Sequence, residues 1–460
     1  MGIKSILLNL PEVIGPTEKR LPFNEKLKWT VVVLLLFFIL GLVPLFGLGA
    51  NSLAQFQFLS LILGAEFGSL ISLGIGPIVT ASILLQLLNG SGIVKFDLNS
   101  SEGKKLFQGV QKGLALAFVV FEAAIYVFAG GLSPAQGHGP FIIIFQLILG
   151  GVMIILMDEV ITKWGFGQGV SLFIAAGVSK EIMVRLLSPL SQSGNLAFVS
   201  GEAPIGALLS VFYFLAAGDL REVMFSLTAI VSTAVVFVIV VYVQAMKVEV
   251  PLSFGRVRGQ GIRWPLAFIY TSNIPVILTA ALLANVQLWA RLLESRGTPL
   301  LGTFDTSGVG ISGFAAWVSS PNIVGNLVRG IIQPIDFARA ATYSIFLMAG
   351  AVMFSLFWVK TAGMDARSQA KKMMDYGLQI PGFRKDERVL ESLLNRYIPA
   401  LTVMGAITVG FLAAMADVSG ALTSGTGLLL AVMIIYKLYE EIAQQHALDM
   451  NPMLRKFMEK

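Results

Sequence analysis

Apolar runs of about twenty residues alternate along the chain with short polar connectors, at 29–47, 74–90, 108–130, 140–160, 167–187, 223–246, 265–289, 338–360, 397–415 and 420–440. A helix rising about 1.5 Å per residue needs about that length to cross a hydrocarbon layer of about 30 Å, so the pattern predicts ten membrane-spanning helices. Other stretches break the rhythm. LAQFQFLSLIL (Leu53–Leu63) is apolar but reaches only about 16 Å as a helix, so it dips into the layer or lies flat. The run that follows, SLGIGPIVTASILLQLL (Ser72–Leu88), begins weakly: Gly74, Gly76 and Pro77 loosen its first turn, and Thr80 and Gln86 interrupt its apolar surface. Irregular backbone at membrane depth is tolerated only where it is buried in protein or lines a water-filled cavity. The pair therefore reads as a discontinuous element at a pathway, or as an interfacial helix joined to a kinked span. Residues 205–218 (IGALLSVFYFLAAG) form another short apolar segment, read as interfacial, and Arg291–Asp336 is a long Gly- and Ser-rich loop with a lone Trp317.

Composition turns this pattern into a class. Of 460 residues 55% are hydrophobic and only 13% charged, which excludes a set of soluble domains and defines an all-α polytopic membrane protein. The chain has no cysteine, and its two histidines, His138 and His446, are far apart in sequence, which argues against disulfides and against Cys- or His-built metal sites. The first 28 residues are polar and amphipathic with no small-residue cleavage motif, and read as a retained segment rather than a signal peptide. The net charge is +6, and its distribution matters more than its sum. With the N-terminus in the cytoplasm, 26 of the 33 Lys and Arg fall on cytoplasmic connectors and adjoining span ends, so both termini are expected inside. Ten spans with a broken element near the front suggest two five-span halves of inverted topology, although no sequence repeat relates them.

Motifs for chemistry are mostly missing. Gly103-Lys104-Lys105 is not preceded by a phosphate-binding glycine pattern, and GFGQG (Gly165–Gly169) reads as a flexible lead into a span. No nucleophile elbow, zinc-protease motif or proton-relay chain is evident, so the chain is read as neither an enzyme nor a cofactor protein. Glu122 stands out as the one clear acid inside a predicted span, either a helix–helix hydrogen-bonding group or a polar patch on a pathway. Two cytoplasmic connectors are strongly basic. VPLSFGRVRGQGIRWP carries Arg256, Arg258 and Arg263 on a hairpin-like tip, and the stretch from Lys360 to Pro399 carries eight basic residues. Such loops suit anionic lipid headgroups or the phosphate backbone of an RNA in a large partner; few aromatics interleave, so base stacking is not indicated.

Five motifs in order carry a resemblance: LGIGPIVTASILLQLL (Leu73–Leu88), GQGVSLFIAAGV (Gly167–Val178), TSNIPVIL (Thr271–Leu278), IPGFR (Ile380–Arg384) and GTGLLL (Gly425–Leu430). The chain resembles the SecY family, the channel subunits of the Sec translocon, in its archaeal and eukaryotic style. The resemblance implies two pseudo-symmetric five-helix halves around a central hourglass pore. Their bounds are a cytoplasmic segment at 1–28, halves at 29–190 and 191–445, and a tail at 446–460. It implies a ring of apolar side chains at the waist: Ile75, Val79, Val170, Ile174, Ile277 and Leu430. The i and i+4 spacing of the first two pairs puts each on one helix face, as a narrow gasket needs. It further implies a plug at about 53–70, in which Glu66 has no assigned role, and a lateral gate with polar positions Thr80, Glu122 and Asn285. Ribosome docking falls to Arg256, Arg258 and Arg384, with Lys371, Lys372, Lys385 and Arg388 weaker candidates in the cytoplasmic loops at about 247–264 and 361–396. Implied partners are the SecE/gamma and SecG/beta subunits, the ribosome, signal peptides and nascent chains, and membrane lipids, at the plasma membrane. The expected function is a passive protein-conducting channel. The rival readings from sequence are a secondary transporter for a small solute, which should concentrate binding residues at broken helices, and a membrane scaffold, which leaves the basic loops unexplained.

Overall fold

The predicted runs become helices whose limits are set by caps and prolines rather than by the edge of the apolar layer. In the computed structural model the described residues are 11–17, 21–51, 65–90, 93–94, 96, 100–191, 195–254, 261–271, 274–295, 297–304, 310–375, 378–379 and 386–450. Among them ten helices have 15 residues or more: α1 Phe23–Leu42, α2 Gly76–Gly90, α3 Ser101–Phe128, α4 Pro140–Trp164, α5 Gly169–Leu187, α6 Leu220–Ala245, α7 Ile274–Ser295, α8 Pro334–Thr361, α9 Glu387–Val418 and α10 Gly425–Met450. Six of these, α3, α4, α6, α7, α8 and α9, are long and apolar enough by themselves to cross a membrane. The 15-residue α2 is apolar but short, and α1, α5 and α10 carry charged residues within their turns.

Several boundaries differ from the apolar runs. The first helix starts six residues early, after Pro22, and stops at Leu42, because Pro44 follows and restricts the residue before it. Two short strands, β1 (Leu48–Asn51) after α1 and β2 (Leu132–Pro134) after α3, pair antiparallel. The run predicted to open at 265 is partly strand: β4 (Gly261–Ala267) pairs antiparallel with β3 (Lys247–Phe254), and α7 begins only at Ile274. In α9 the helix starts ten residues before the predicted span, where Asp386 accepts a hydrogen bond from the Arg388 N–H. Its added turns are amphipathic: Leu390 and Leu394 are buried with Val250, Leu266, Ala370 and Met373. That satellite core joins the two basic connectors. A helix at Ala366–Asp375 packs on α9, and the short β5 (Leu378–Gln379) adds to the hairpin in the order β4-β3-β5, with Ser253 opposite Gln379 and Phe254 opposite Leu378. The residues 205–218 become a helix at Ala207–Ala217 packed on α6 and α5.

The main core is one contiguous apolar cluster shared by the long helices. In it α2 packs on α3, α7 and α8, while α10 packs on α5, α7 and α9. At the N-terminus a strap at 11–14 clasps α3 and α4. The Val13 N–H donates to Glu159 Oε2 at 2.9 Å, Trp164 Nε1 donates to the Ile14 carbonyl at 2.8 Å, Lys163 reaches Glu12 at 2.9 Å, and Lys112 pairs with Glu159.

The approach to α2 is a series of turns rather than a helix. Leu45 N–H donates to the Gly68 carbonyl and Leu70 N–H to the Val43 carbonyl, each at 2.9 Å, so the returning chain is stitched to the segment that leaves α1. Ser72, fully buried, accepts from the Gly68 N–H and donates to the Ser69 carbonyl, and Gly74 has φ +55°. This backbone passes directly over α4, where a Cβ on Gly150 would sit 1.8 Å from the Leu70 carbonyl oxygen. Gly150→Ala is therefore expected to destabilise the protein by about 1–3 kcal/mol, the usual cost of overpacking. The loss is measured as a lower thermal midpoint of the purified protein, and an unchanged midpoint would show that Leu70 yields freely.

Candidate functional site

Four neighbouring helices carry the six aliphatic candidates, which lie in the main apolar core or pack against it. Ile75 is the last residue before α2, and Val79 donates its N–H to the Ile75 carbonyl at 3.0 Å, so the pair shares one face as their spacing predicts. Val170 and Ile174 occupy the first two turns of α5, Ile277 the first turn of α7, and Leu430 the second turn of α10. Ile75, Ile174 and Leu430 are fully buried, Val79 and Ile277 nearly so, and the half-buried Val170 packs against the same cluster. Their helices are neighbours in the series α2–α7–α10–α5. Buried aliphatic side chains offer an ion no substitute for its hydration shell.

Beside this cluster the three polar candidates meet. Asn285 Nδ2 on α7 donates to Thr80 Oγ1 on α2 at 3.1 Å, and the Thr80 hydroxyl lies 3.3 Å from Glu122 Oε1 on α3 and 2.8 Å from the Gly76 carbonyl, sharing one proton between two acceptors. Glu122 is buried at 8% exposure. The same seam has an aromatic contact, Phe121 on α3 with Trp289 on α7 at 6.2 Å between ring centroids, and Gln111 on α3 donates to Ser82 on α2 at 2.6 Å.

Of the plug candidate at about 53–70, residues 52–64 lie outside the described residues. Glu66, which has no role from sequence alone, forms an ion pair with Lys180 on α5, and its stem lies beside Gly41 of α1. The docking candidates Arg256, Arg258 and Arg384, and the weaker Lys385, also lie outside the described residues. The strands leading to them are described, and the antiparallel pairing of β5 with the end of β3 joins the two connectors in one sheet. Lys371 and Lys372 are on the helix Ala366–Asp375 and Arg388 is in the first turn of α9.

Glu122 is not alone as an acid within the helical bundle. Asp158 on α4 accepts from the Val170 N–H at 2.8 Å, and Asp417 on α9 accepts from the Gly425 N–H and the Tyr343 hydroxyl, each at 2.6 Å, and from the Thr426 hydroxyl. Asp158 lies inside a predicted span, in the sequence LMDEV, and was readable as an intramembrane carboxylate; Asp417 lies two residues past the predicted end of its span. Neither carries a recognisable motif. Among the described residues no group of three or more His, Cys, Asp or Glu side chains could hold a metal ion.

A mostly helical, multi-pass membrane protein with buried aliphatic residues on four neighbouring helices and a polar seam joining α2, α3 and α7 fits the class of membrane channels and carriers. The SecY family model matches residues 69–439, and the chain belongs to the SecY family. It is 44% identical over 98% of its length to the protein translocase subunit SecY of Methanothermobacter thermautotrophicus, 96% of which is covered. It matches a solved structure described as that of a protein conducting channel with a TM-score of 0.83 and 40% identity, over 97% of this chain and 98% of that one. It also matches Sec61 in the canine ribosome-channel complex from the endoplasmic reticulum with a TM-score of 0.80 and 39% identity, again over 97% and 98%. Membership of this family agrees with the reading that the chain is not an enzyme.

Proposed function

We propose that this chain is the central pore subunit of a protein-conducting channel, passing unfolded secretory polypeptides across a membrane and releasing transmembrane segments laterally into lipid. The observation that carries the proposal is that six aliphatic side chains in the first turns of four neighbouring helices, α2, α5, α7 and α10, or just before them, are buried in the apolar core or packed against it. Flexible aliphatic side chains can close around a moving chain and exclude water and ions when none is present. A carrier of a small solute would need polar binding groups at that waist, and the relatives above are described as a translocase and channels.

In this proposal all ten helices cross the membrane, with both termini cytoplasmic at the plasma membrane. They form two five-helix halves at 29–190 and 191–445, flanked by the segment 1–28 and the tail 446–460. Packing supports the division: α1 to α5 contact one another, α6 to α10 contact one another, and the halves meet chiefly along α2 with α7 and α8 and along α5 with α10. The seam of Thr80, Glu122 and Asn285 then acts as the lateral gate. Polar groups across a helix interface favour closure, and an arriving apolar signal helix compensates for parting them. The segment at about 53–70 serves as the plug, tethered at its end by Glu66 and Lys180. Arg256, Arg258 and Arg384 dock the ribosome, as the canine relative's complex suggests, and SecE/gamma and SecG/beta complete the heterotrimer.

A stalled secretory chain carrying a photoreactive residue tests the proposal. Crosslinks from the chain to Val79 and Ile277 are the expected result. Crosslinks confined to lipid or to the outer loops, with none to either residue, would overturn it.

A further inference from the structure

The helices α5 and α10 begin in the same unusual way, in two hairpins whose sequences show no repeat. Each starts on a glycine pressed against the preceding helix: a Cβ on Gly169 would lie 2.6 Å from the Asp158 Cα, and one on Gly425 would lie 2.0 Å from the Asp417 backbone nitrogen. Each opens its backbone toward an aspartate of that preceding helix. The Asp158 carboxylate faces the N–H groups of Gly169 and Val170, and the Asp417 carboxylate faces those of Gly425 and Thr426. The first N–H groups of a helix have no intrahelical acceptor; the residue before Gly169, Gln168, makes no side-chain cap of its own, and the residue before Gly425, Ser424, accepts from the Gly427 N–H and leaves those of Gly425 and Thr426 to Asp417. Where a helix start is packed this closely against protein, those donors need a partner, and a carboxylate also suits the positive end of the helix dipole.

The register is the same as well. From each starting glycine, the residue five positions on is a fully buried aliphatic of the proposed ring: Ile174 in α5 and Leu430 in α10. The second residue, whose N–H also faces the carboxylate, is one turn before it, and in α5 that residue is Val170, itself a ring candidate. The two helices pack on each other, with Thr423 donating to Glu181 on α5 at 2.6 Å near the held end of α10.

We propose that Asp158 and Asp417 are paired positioning residues that fix the axial height of α5 and α10, and so keep Ile174 with Val170 and Leu430 level in the waist of the pore. The proposal rests on the ring reading given above. Without either cap, the first turn of its helix frays and its ring side chain drops out of the plane, leaving a gap for water and ions. Asp417 is held in turn by Tyr343 on α8, so the height of α10 is referenced to a helix outside the waist.

Ion conductance of the complete complex reconstituted in planar bilayers, without a translocating chain, tests this. Asp158→Ala and Asp417→Ala are each expected to raise basal conductance about five-fold at equal protein, the population shift expected from loss of one helix cap. Asp158→Asn and Asp417→Asn keep the shape and one acceptor oxygen, and should lie between wild type and the alanine variants. That graded rescue is not expected if the aspartates serve assembly alone. Wild-type conductance from all four, with Leu430→Asn conducting, overturns the positioning role and leaves the ring reading standing. Wild-type conductance from Leu430→Asn and Ile174→Asn as well overturns the ring reading and this proposal with it. Should the alanine variants fail to assemble, the asparagine variants and Tyr343→Phe decide: raised conductance supports the proposal, and wild-type conductance from all three refutes it.

Discussion

Replacing Ile277 or Leu430 by asparagine is expected to raise ion leak through the resting channel about tenfold, as removal of about 1.4 kcal/mol from a barrier would do. The same variants should export precursors with defective signal sequences. Both effects have one cause. The waist candidates sit in an unbroken apolar cluster, with Leu430 fully buried and Ile277 at 5% exposure. An amide among them wets the constriction and weakens the packing that holds the closed state, so less signal-sequence binding is needed to open it. The readouts are conductance of the reconstituted complex and export of a signal-deficient reporter. Silence in both, from variants that assemble normally, would remove these residues from the ring.

Charge reversal at Arg256, Arg258 and Arg384 together is expected to weaken ribosome binding most at low salt. Each arginine that neutralises a phosphate contributes about one unit to the dependence of log affinity on log salt, so the triple variant should lose about three units of slope. The pairing of β3 with β5 joins the two connectors that bear these residues in one sheet. Binding is measured by cosedimentation across a salt series, and far-ultraviolet circular dichroism checks that the helices are intact. Equal slopes for wild type and variant would exclude these arginines from the contact.

Much of this molecule is legible in its sequence, for physical reasons that single residues illustrate. Apolar runs of fixed length mark helices because every backbone group in lipid must be satisfied within the segment. Ile75 with Val79 and Val170 with Ile174 share a face because four residues nearly complete a helical turn. The pairing of Thr80 with Asn285, 205 residues apart, was anticipated only through family resemblance; neither residue type at its own position specifies a partner. The hairpin tip was legible in VPLSFGRVRGQGIRWP, but the end of the strand Gly261–Ala267 was hidden in the apolar run that opens at 265, since a buried strand and a short buried helix have the same composition. The early start of α9 was hidden because its added turns bury one face against protein, not lipid.

The sequence by itself determined that the chain is a multi-pass membrane protein, where its charges lie, and which motifs carry its resemblance to SecY. These follow from length, composition and order, which survive without any knowledge of contacts. Only the tertiary structure decided that strands from the two basic connectors pair in one sheet, that the lead into α2 is threaded over Gly150, and that Asp158 and Asp417 accept from the first N–H groups of α5 and α10. Each depends on which backbone passes within a few ångströms of which other, a property of the packed bundle that no local pattern encodes.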